Sequence, residues 1–295
     1  MSRLQADIAL LLAALIWGLG FVFQKSAMSH VGPLTFLAAR GTVAALTLLP
    51  LAIQEAREQE ADGRGLGFLP IAVWGGTAFF VGGWLQQSGL ITATVTNAGF
   101  LTALYVVLTP LIAWAWNGKR PNPLVWPAVL LSALGTWLLG GGTLSSFSTG
   151  DMLVALSAVL WAFHVVITGR AAQFRRPIGF TAVQFAIVAA LAGSGALLFE
   201  TVTIAGLTAA WKDIAYVGLL SSALTFTLLT VALQHTPPSE AAVIVSTEVL
   251  FAALAAYLLL GEHLGAIGWL GAAMILSGTL LVQLGSVWAA RFWRV

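Results

Sequence analysis

Few residues of this chain could do chemistry, and the sharpest lie inside long apolar stretches. Glu248 stands eight residues into an apolar run at 240–260, about 12 Å from its start at 1.5 Å per residue, near the centre of a bilayer if the run spans one. Such a carboxyl is either protonated and hydrogen-bonded to a neighbouring helix, or it binds a proton or an ammonium, because polar groups in hydrocarbon face a bundle interior or a watery cavity. Trp17 and Trp161 each lie ten residues into their own runs, about 15 Å deep. Tryptophan ordinarily sits at the membrane interface, as Trp126, Trp211, Trp269, Trp288 and Trp293 do by position, so a pair at mid-depth points either to helix packing or to a cavity wall.

His164 follows Trp161 by one turn on the same helix face, where it either packs or titrates along a path. Asn97 and Glu240 occupy corresponding places early in their runs, after Thr96 and Ser239, hydroxyl residues suited to capping. Glu240 also fits the positive end of a helix dipole. Lys25 and Arg40 lie toward one membrane face, Arg40 about 9 Å deep, where both can snorkel to headgroups or attract a carboxylate. Phe100 and Tyr105, with Phe79, Phe80 and Trp84, add aromatic surface that serves packing or a pocket. Gly99 and Ala103, four apart, suit close helix approach.

No H-E-x-x-H pair, G-x-S-x-G elbow or phosphate loop is present, and His30, His164, His235 and His263 are scattered. An enzyme is therefore not expected, and neither is a cofactor. With no cysteine there is no disulfide framework and no thiolate metal site. The net charge of +2 gives no reason to expect nucleic acid as a partner.

The elements that must position these residues follow from composition. Apolar residues make up 59% of the chain and charged ones 8%, against about a quarter charged in a soluble domain, and the mean hydropathy is +0.94. Ten apolar runs fall near 7–27, 34–53, 68–91, 95–116, 123–141, 151–170, 178–199, 211–234, 240–260 and 266–287, each about the length that crosses a bilayer. The first is too long for a secretory h-region and lacks a cleavage site. Residues 54–67 form the one long polar loop expected; other connections are short turns such as Gly140-Gly141-Gly142 and Thr236-Pro237-Pro238-Ser239.

The chain is also written twice. At an offset of 143 to 144 residues Asp7 falls on Asp151, Trp17 on Trp161, Phe36 on Phe180, Gly118 on Gly261, Trp126 on Trp269 and Gly135-Thr136 on Gly278-Thr279. Five runs fall in each copy, 1–145 and 146–295, and five is odd, so the second copy enters the membrane from the other face. The expected fold is an all-α membrane protein of ten transmembrane helices in two inverted five-helix repeats, a recurrent build for secondary transporters with a midplane site. Arg3, Arg57, Arg64, Lys119, Arg120, Arg170, Arg175, Arg176, Arg291 and Arg294 fall on one side of this topology, and Lys25 and Lys212 on the other. That bias places both termini in the cytoplasm.

Three stretches carry a family resemblance. Leu15-Ile16-Trp17-Gly18 with Phe21, the segment Asn97-Ala98-Gly99-Phe100-Leu101-Thr102-Ala103-Leu104-Tyr105 running to Thr109-Pro110, and Glu248 with the Leu-rich run to Gly261-Glu262 together resemble the EamA repeat of the drug/metabolite transporter superfamily. The resemblance covers the chain twice. It implies a ten-helix transporter of the bacterial inner membrane with a central cavity, whose relatives export amino acids and other metabolites. Within the superfamily the chain looks most like the YddG-type exporters of aromatic amino acids. Two departures stand out: Glu248-Val249 replaces a common Glu-Pro, so a proline break is not expected there, and Asp7 at a helix edge does not match the embedded glutamate of four-helix multidrug members. The expected substrate is a small zwitterion with a bulky apolar side chain, touched by Trp17, Trp161, Phe100 and Tyr105 on its apolar part and by Glu248, Asn97 and His164 on its polar part. A drug, sugar or lipid-intermediate carrier and a non-transporting scaffold are the alternatives.

Overall fold

The computed structural model describes residues 1–60, 67–118, 120–139, 148–261 and 265–292, and every regular element among them is helical. The turn at Gly140-Gly141-Gly142, most of the polar loop beyond residue 60, and Arg64, Lys119, Glu262, His263, Trp293 and Arg294 lie outside the described residues, as do the side chains of Trp288 and Arg291. The first half contains α1 (Arg3–Ala27), α2 (Pro33–Glu60), α3 (Leu69–Leu90), α4 (Val95–Thr102), α5 (Tyr105–Asn117) and α6 (Val125–Leu139). The second contains α7 (Thr149–Ala171), α8 (Pro177–Phe199), α9 (Ile204–Ala209), α10 (Trp211–Ala215), a π-helical segment (Tyr216–Leu224), α11 (Thr225–Ala232), α12 (Pro238–Val245), α13 (Glu248–Leu260) and α14 (Ala266–Phe292).

Among the described residues seven helical stretches are long and apolar enough to cross a membrane, and two shorter apolar helices, Val125–Leu138 and Ala266–Val282, accompany them. Helix α3 has the length, at 22 residues, but glycines and the Gln86-Gln87 pair dilute its apolar character. Polarity is arranged inside out. Leu197, Leu198, Phe199 and Ile204 are exposed, whereas Arg40, Gln87, His164, Gln184 and Glu248 are buried. Lipid tolerates the first set and excludes the second, so the chain folds as an all-helical membrane protein.

Four expectations are corrected. The loop expected from residue 54 is helical to Glu60, because Glu55 to Glu60 are good helix formers and Gln54 donates to Glu58 at 2.9 Å. The stretches 95–116 and 240–260 are not continuous helices: α4 gives way to α5 at Ala103-Leu104, and α12 to α13 at Ser246-Thr247. No proline is needed at the second break, since the Ser246 and Thr247 hydroxyls donate to the carbonyls of Val243 and Ile244, both at 2.7 Å. The caps also shift: Thr94 rather than Thr96 caps α4, and Pro237 rather than Ser239 precedes α12, with Pro238 as its first residue.

Contacts between the halves come in reciprocal pairs. Glu55, near the end of α2, accepts from the backbone amides of Ile178 (3.2 Å) and Gly179 (2.7 Å) at the start of α8. Glu200, at the end of α8, accepts from those of Leu34 (2.9 Å) and Thr35 (2.8 Å) at the start of α2. Each helix begins with proline, and each carboxylate meets the positive helix end. Helices α6 and α14 repeat the pattern: a Cβ on Gly135 would lie 2.6 Å from the Gly271 carbonyl, and one on Gly278 2.8 Å from that of Ala128.

Helix α1 approaches α13 as closely. A Cβ on Gly18 would lie 2.5 Å from Phe251 Cβ, 2.6 Å from the Glu248 carbonyl and 2.8 Å from the Ala252 amide. Backbone cannot yield as a flexible side chain does, so Gly18→Ala must push α1 off α13. The expected cost is about 1–3 kcal/mol, read as a lowered melting temperature of the detergent-solubilised protein; a variant as stable as the parent would show that this approach is slack.

Candidate functional site

Between α1, α2, α3, α4, α5, α7, the π-helical segment, α11, α12 and α13 lies a cavity lined by Trp17, Phe21, Gln24, Arg40, Gln86, Thr102, Tyr105, Trp161, His164, Ser221, Phe226 and Glu248 among others. Its free volume is about 60 Å³. An apolar cavity holding benzene is on the order of 150 Å³, so an indole ring requires the walls to move apart.

Phe79 forms the hub of the apolar wall. Its ring meets Trp161 at 5.0 Å, His164 at 5.6 Å, Phe185 at 4.8 Å and Phe226 at 5.0 Å, and Trp17 stacks obliquely on Phe226 at 4.9 Å. These are edge and tilted geometries that aromatic quadrupoles favour. Trp17 also donates its indole N–H to the Ser221 carbonyl at 3.0 Å, and the Tyr216 hydroxyl donates to the neighbouring Ile16 carbonyl at 3.0 Å. Both partners belong to the π-helical segment, so α1 is pinned at the level of Trp17. Such bulges occur often at functional sites.

Arg40 is buried, so of its two readings snorkelling to the headgroups is excluded. Its Nε donates to Ser222 Oγ at 3.0 Å, its Nη1 to Gln24 Oε1 at 3.3 Å, and its guanidinium lies 5.3 Å from the centre of the Phe79 ring. Gln24 Oε1 accepts from Gln87 Nε2 as well. Lys25, by contrast, ties off the end of α3, donating to the carbonyls of Leu90 (2.7 Å), Ile91 (3.1 Å) and Ala93 (3.0 Å).

Glu248 is the first residue of α13 and has Tyr105, the first residue of α5, as hydrogen-bonding neighbour; its Oε1 is buried without a partner among the described residues. His164 Nε2 lies 2.9 Å from Gln184 Oε1, and the Trp161 indole nitrogen is buried without a partner among the described residues. The structure thus brings together Trp17, Tyr105, Trp161, His164 and Glu248 at one cavity. It places Asn97 and Phe100 elsewhere. Asn97 lies in the first turn of α4 and donates to Asp151 at 3.3 Å, while Phe100 packs on the cluster of Phe21, Leu90, Ala98 and Ala252.

The lining residues that sequence reasoning passed over include Gln24, Gln86, Thr102, Ser221 and Phe226. Gln86 donates to Thr102 at 2.8 Å, so these two satisfy each other. One signal was available. At the offset of the repeats Tyr105 falls on Glu248 and Arg40 on Gln184, which marks both pairs as equivalent places in the two copies.

The model of the EamA-like transporter family matches the chain twice, over residues 4–141 and 148–284. The chain belongs to the EamA-like transporter family. An uncharacterized transporter of Archaeoglobus fulgidus is 31% identical over 288 residues, covering 96% of this chain and 87% of the relative. The aromatic amino acid exporter YddG of Salmonella typhimurium is 29% identical, over 64% of this chain and 67% of its own. The threonine/homoserine exporter RhtA of Escherichia coli is 29% identical over 58% of each. A solved crystal structure superposes with a TM-score of 0.76 at 21% identity, covering 96% of this chain and 98% of the other, which establishes the shared fold. The family is one of membrane transporters, not enzymes.

Residues of the two copies tie the helices together at both ends of the molecule. At the end carrying the N-terminus, Arg3 pairs with Asp7 at 2.8 Å and with Glu240 at 2.7 Å, and Thr236 donates to Asp7 at 3.3 Å. At the other end Asn97 meets Asp151, which is capped by Ser148 at 2.7 Å. Asp7 is equivalent to Asp151, and Glu240 to Asn97. Arg3→Ala leaves two carboxylates facing each other without their cation. The chain has no cysteine, so a cysteine at Ala241, buried here, is an unambiguous reporter. In the A241C background, R3A is expected to speed maleimide labelling about tenfold, equivalent to about 1.4 kcal/mol of lost closure; unchanged labelling would show that Arg3 does not hold this end.

Proposed function

We propose that this protein is an amino acid exporter of the inner membrane, built as ten transmembrane helices in two inverted five-helix repeats (1–145 and 146–295) with both termini in the cytoplasm. Substrate binds at the midplane cavity and crosses by alternating access, one half rocking against the other. The observation that carries this reading is the convergence of equivalent residues from both copies, Trp17 with Trp161 and Tyr105 with Glu248, on one cavity. Convergence of repeat-equivalent residues is what a pseudo-two-fold axis through a substrate site requires. The reciprocal caps of α2 and α8 at their opposite ends support the same axis.

Aromatic walls of Trp17, Trp161 and Phe226 favour an apolar side chain, and Glu248, His164 and Arg40 supply polar contacts. YddG, a relative, exports aromatic amino acids. The volume of about 60 Å³ favours a second reading, a smaller amino acid of the kind RhtA exports, threonine or homoserine.

Counterflow into liposomes carrying the purified protein separates these readings. Labelled phenylalanine and tryptophan are expected to accumulate against unlabelled internal substrate, with glucose excluded. Accumulation of threonine alone assigns the smaller-substrate reading. Glucose uptake without amino acid uptake, or no uptake of any of the four, would remove the amino acid assignment. Trp161→Ala is expected to reduce uptake of phenylalanine at least about tenfold.

A further inference from the structure

The frame of this protein is two-fold, but its charges are not. At equivalent positions one copy carries Arg40 and the other Gln184, and one carries Tyr105 and the other Glu248. The settings match: Arg40 on α2 bonds to Gln24 of α1, as Gln184 on α8 bonds to His164 of α7. Tyr105 and Glu248 each open the second piece of a broken helix. Each copy therefore contributes one group able to carry charge, a base from one and an acid from the other, where its partner contributes a neutral polar group. Among the described residues lining the cavity, Arg40 and Glu248 are the formally charged side chains.

The two are not spent on each other. No ion pair joins them among the described residues: Arg40 donates to the neutral Ser222 and Gln24, and Glu248 Oε1 is buried with no partner. Burying opposite charges without pairing them costs stability that hydrogen bonds to neutral groups only partly return. A ligand offering an anion to one and a cation to the other recovers it. Gln24, shared between Arg40 and Gln87, and Ser222, on the π-helical segment, hold the guanidinium in place beforehand.

Building on the amino acid reading above, we infer that Arg40 and Glu248 bind the two ends of a zwitterion, Arg40 its carboxylate and Glu248 its ammonium. The substrate then sits in one orientation across the pseudo-two-fold axis, and its side chain is left to the wall of Trp17, Trp161 and Phe226. A molecule with only one of the two charges leaves the other buried group unmatched. Selection is by charge separation first and by side chain second.

The test is competition against counterflow of the amino acid that the wild-type protein carries, phenylalanine or threonine. The competitors are that amino acid, its amide, which lacks the carboxylate, and the acid lacking the amino group (3-phenylpropionate or 3-hydroxybutyrate). Wild type is expected to prefer the amino acid to either analogue at least about a hundredfold, as sites built to pair a polar group reject analogues without it. R40Q, which installs the residue of the other repeat, is expected to bring the amide within about threefold of the amino acid while still rejecting the acid. E248Q is expected to give the mirror result, and R40K to keep rejecting the amide. If R40Q does not survive a thermal melt, Q24L serves: it keeps the cation but removes an acceptor that aims it, and discrimination against the amide should fall about tenfold. Wild-type counterflow of an amino acid with unaltered discrimination in R40Q, or in Q24L where R40Q is unstable, overturns this assignment and leaves the exporter reading intact. Absence of amino acid counterflow in wild type overturns both.

Discussion

Helices α2 and α8 are joined at both ends by carboxylates, and the rest of the molecule is arranged around that pair. The first amides of a helix have no partner within it, and lipid offers none. Glu55 supplies acceptors at the start of α8 and Glu200 at the start of α2, so each helix closes the other. The pair is therefore fixed in length and antiparallel sense. Between the two clamps it carries Leu37 and Phe185 into the core and presents Arg40 and Gln184 at equivalent heights. Helix α3 packs against α8 and α7, and α1 against α13, α11 and the π-helical segment, so the cavity is the space this central pair leaves between the copies.

Regular helices alone would leave that space purely apolar. Three irregularities lie along it: the α4–α5 break, the α12–α13 break and the π-helical segment. Each releases backbone groups from the i to i−4 ladder, which a membrane permits only where protein or a water-filled cavity receives them. The released Ser221 carbonyl takes the Trp17 indole, and Ser222, which donates to Val217 five residues back, turns its oxygen to Arg40. Tyr105 and Glu248 open the half-helices beyond the other two breaks, beside positive helix ends. Irregular backbone thus places the polar chemistry, while the regular helices place the aromatic wall.

Much of this was legible in the sequence, because duplication and apolar length are redundant signals. The apolar runs, the doubling and the place of Trp17, Trp161 and Glu248 well inside their runs follow from counting residues. What was hidden depended on partners distant in the chain. Arg40, about 9 Å deep by count, left snorkelling and carboxylate attraction both open, because the partners that hold it inside are distant: Ser222 lies 182 residues away and Gln24 on another helix. The break before Glu248 was hidden because Ser246 and Thr247 substitute for a proline. Asn97 and Phe100 share a conspicuous stretch with Tyr105 but do not line the cavity with it, because a helix of eight residues turns Phe100 toward Phe21 and holds Asn97 in its first turn.

A chain duplicated without change would have two end states of equal energy, related by the two-fold rotation that exchanges the copies, and neither end would be preferred. Divergence removes that degeneracy at specific positions. At the N-terminal end the equivalent pair has become two acids, Asp7 and Glu240, which repel unless Arg3 lies between them; at the opposite end it is Asp151 with the neutral Asn97. Arg3 itself has no equivalent, for the matching position of the second copy is Phe147. A difference of about 1.4 kcal/mol between the ends is enough to shift the populations tenfold. The balance between the two ends therefore rests on one cation that the second copy lacks, on residues that do not line the cavity, so this end and the cavity lining are free to diverge independently.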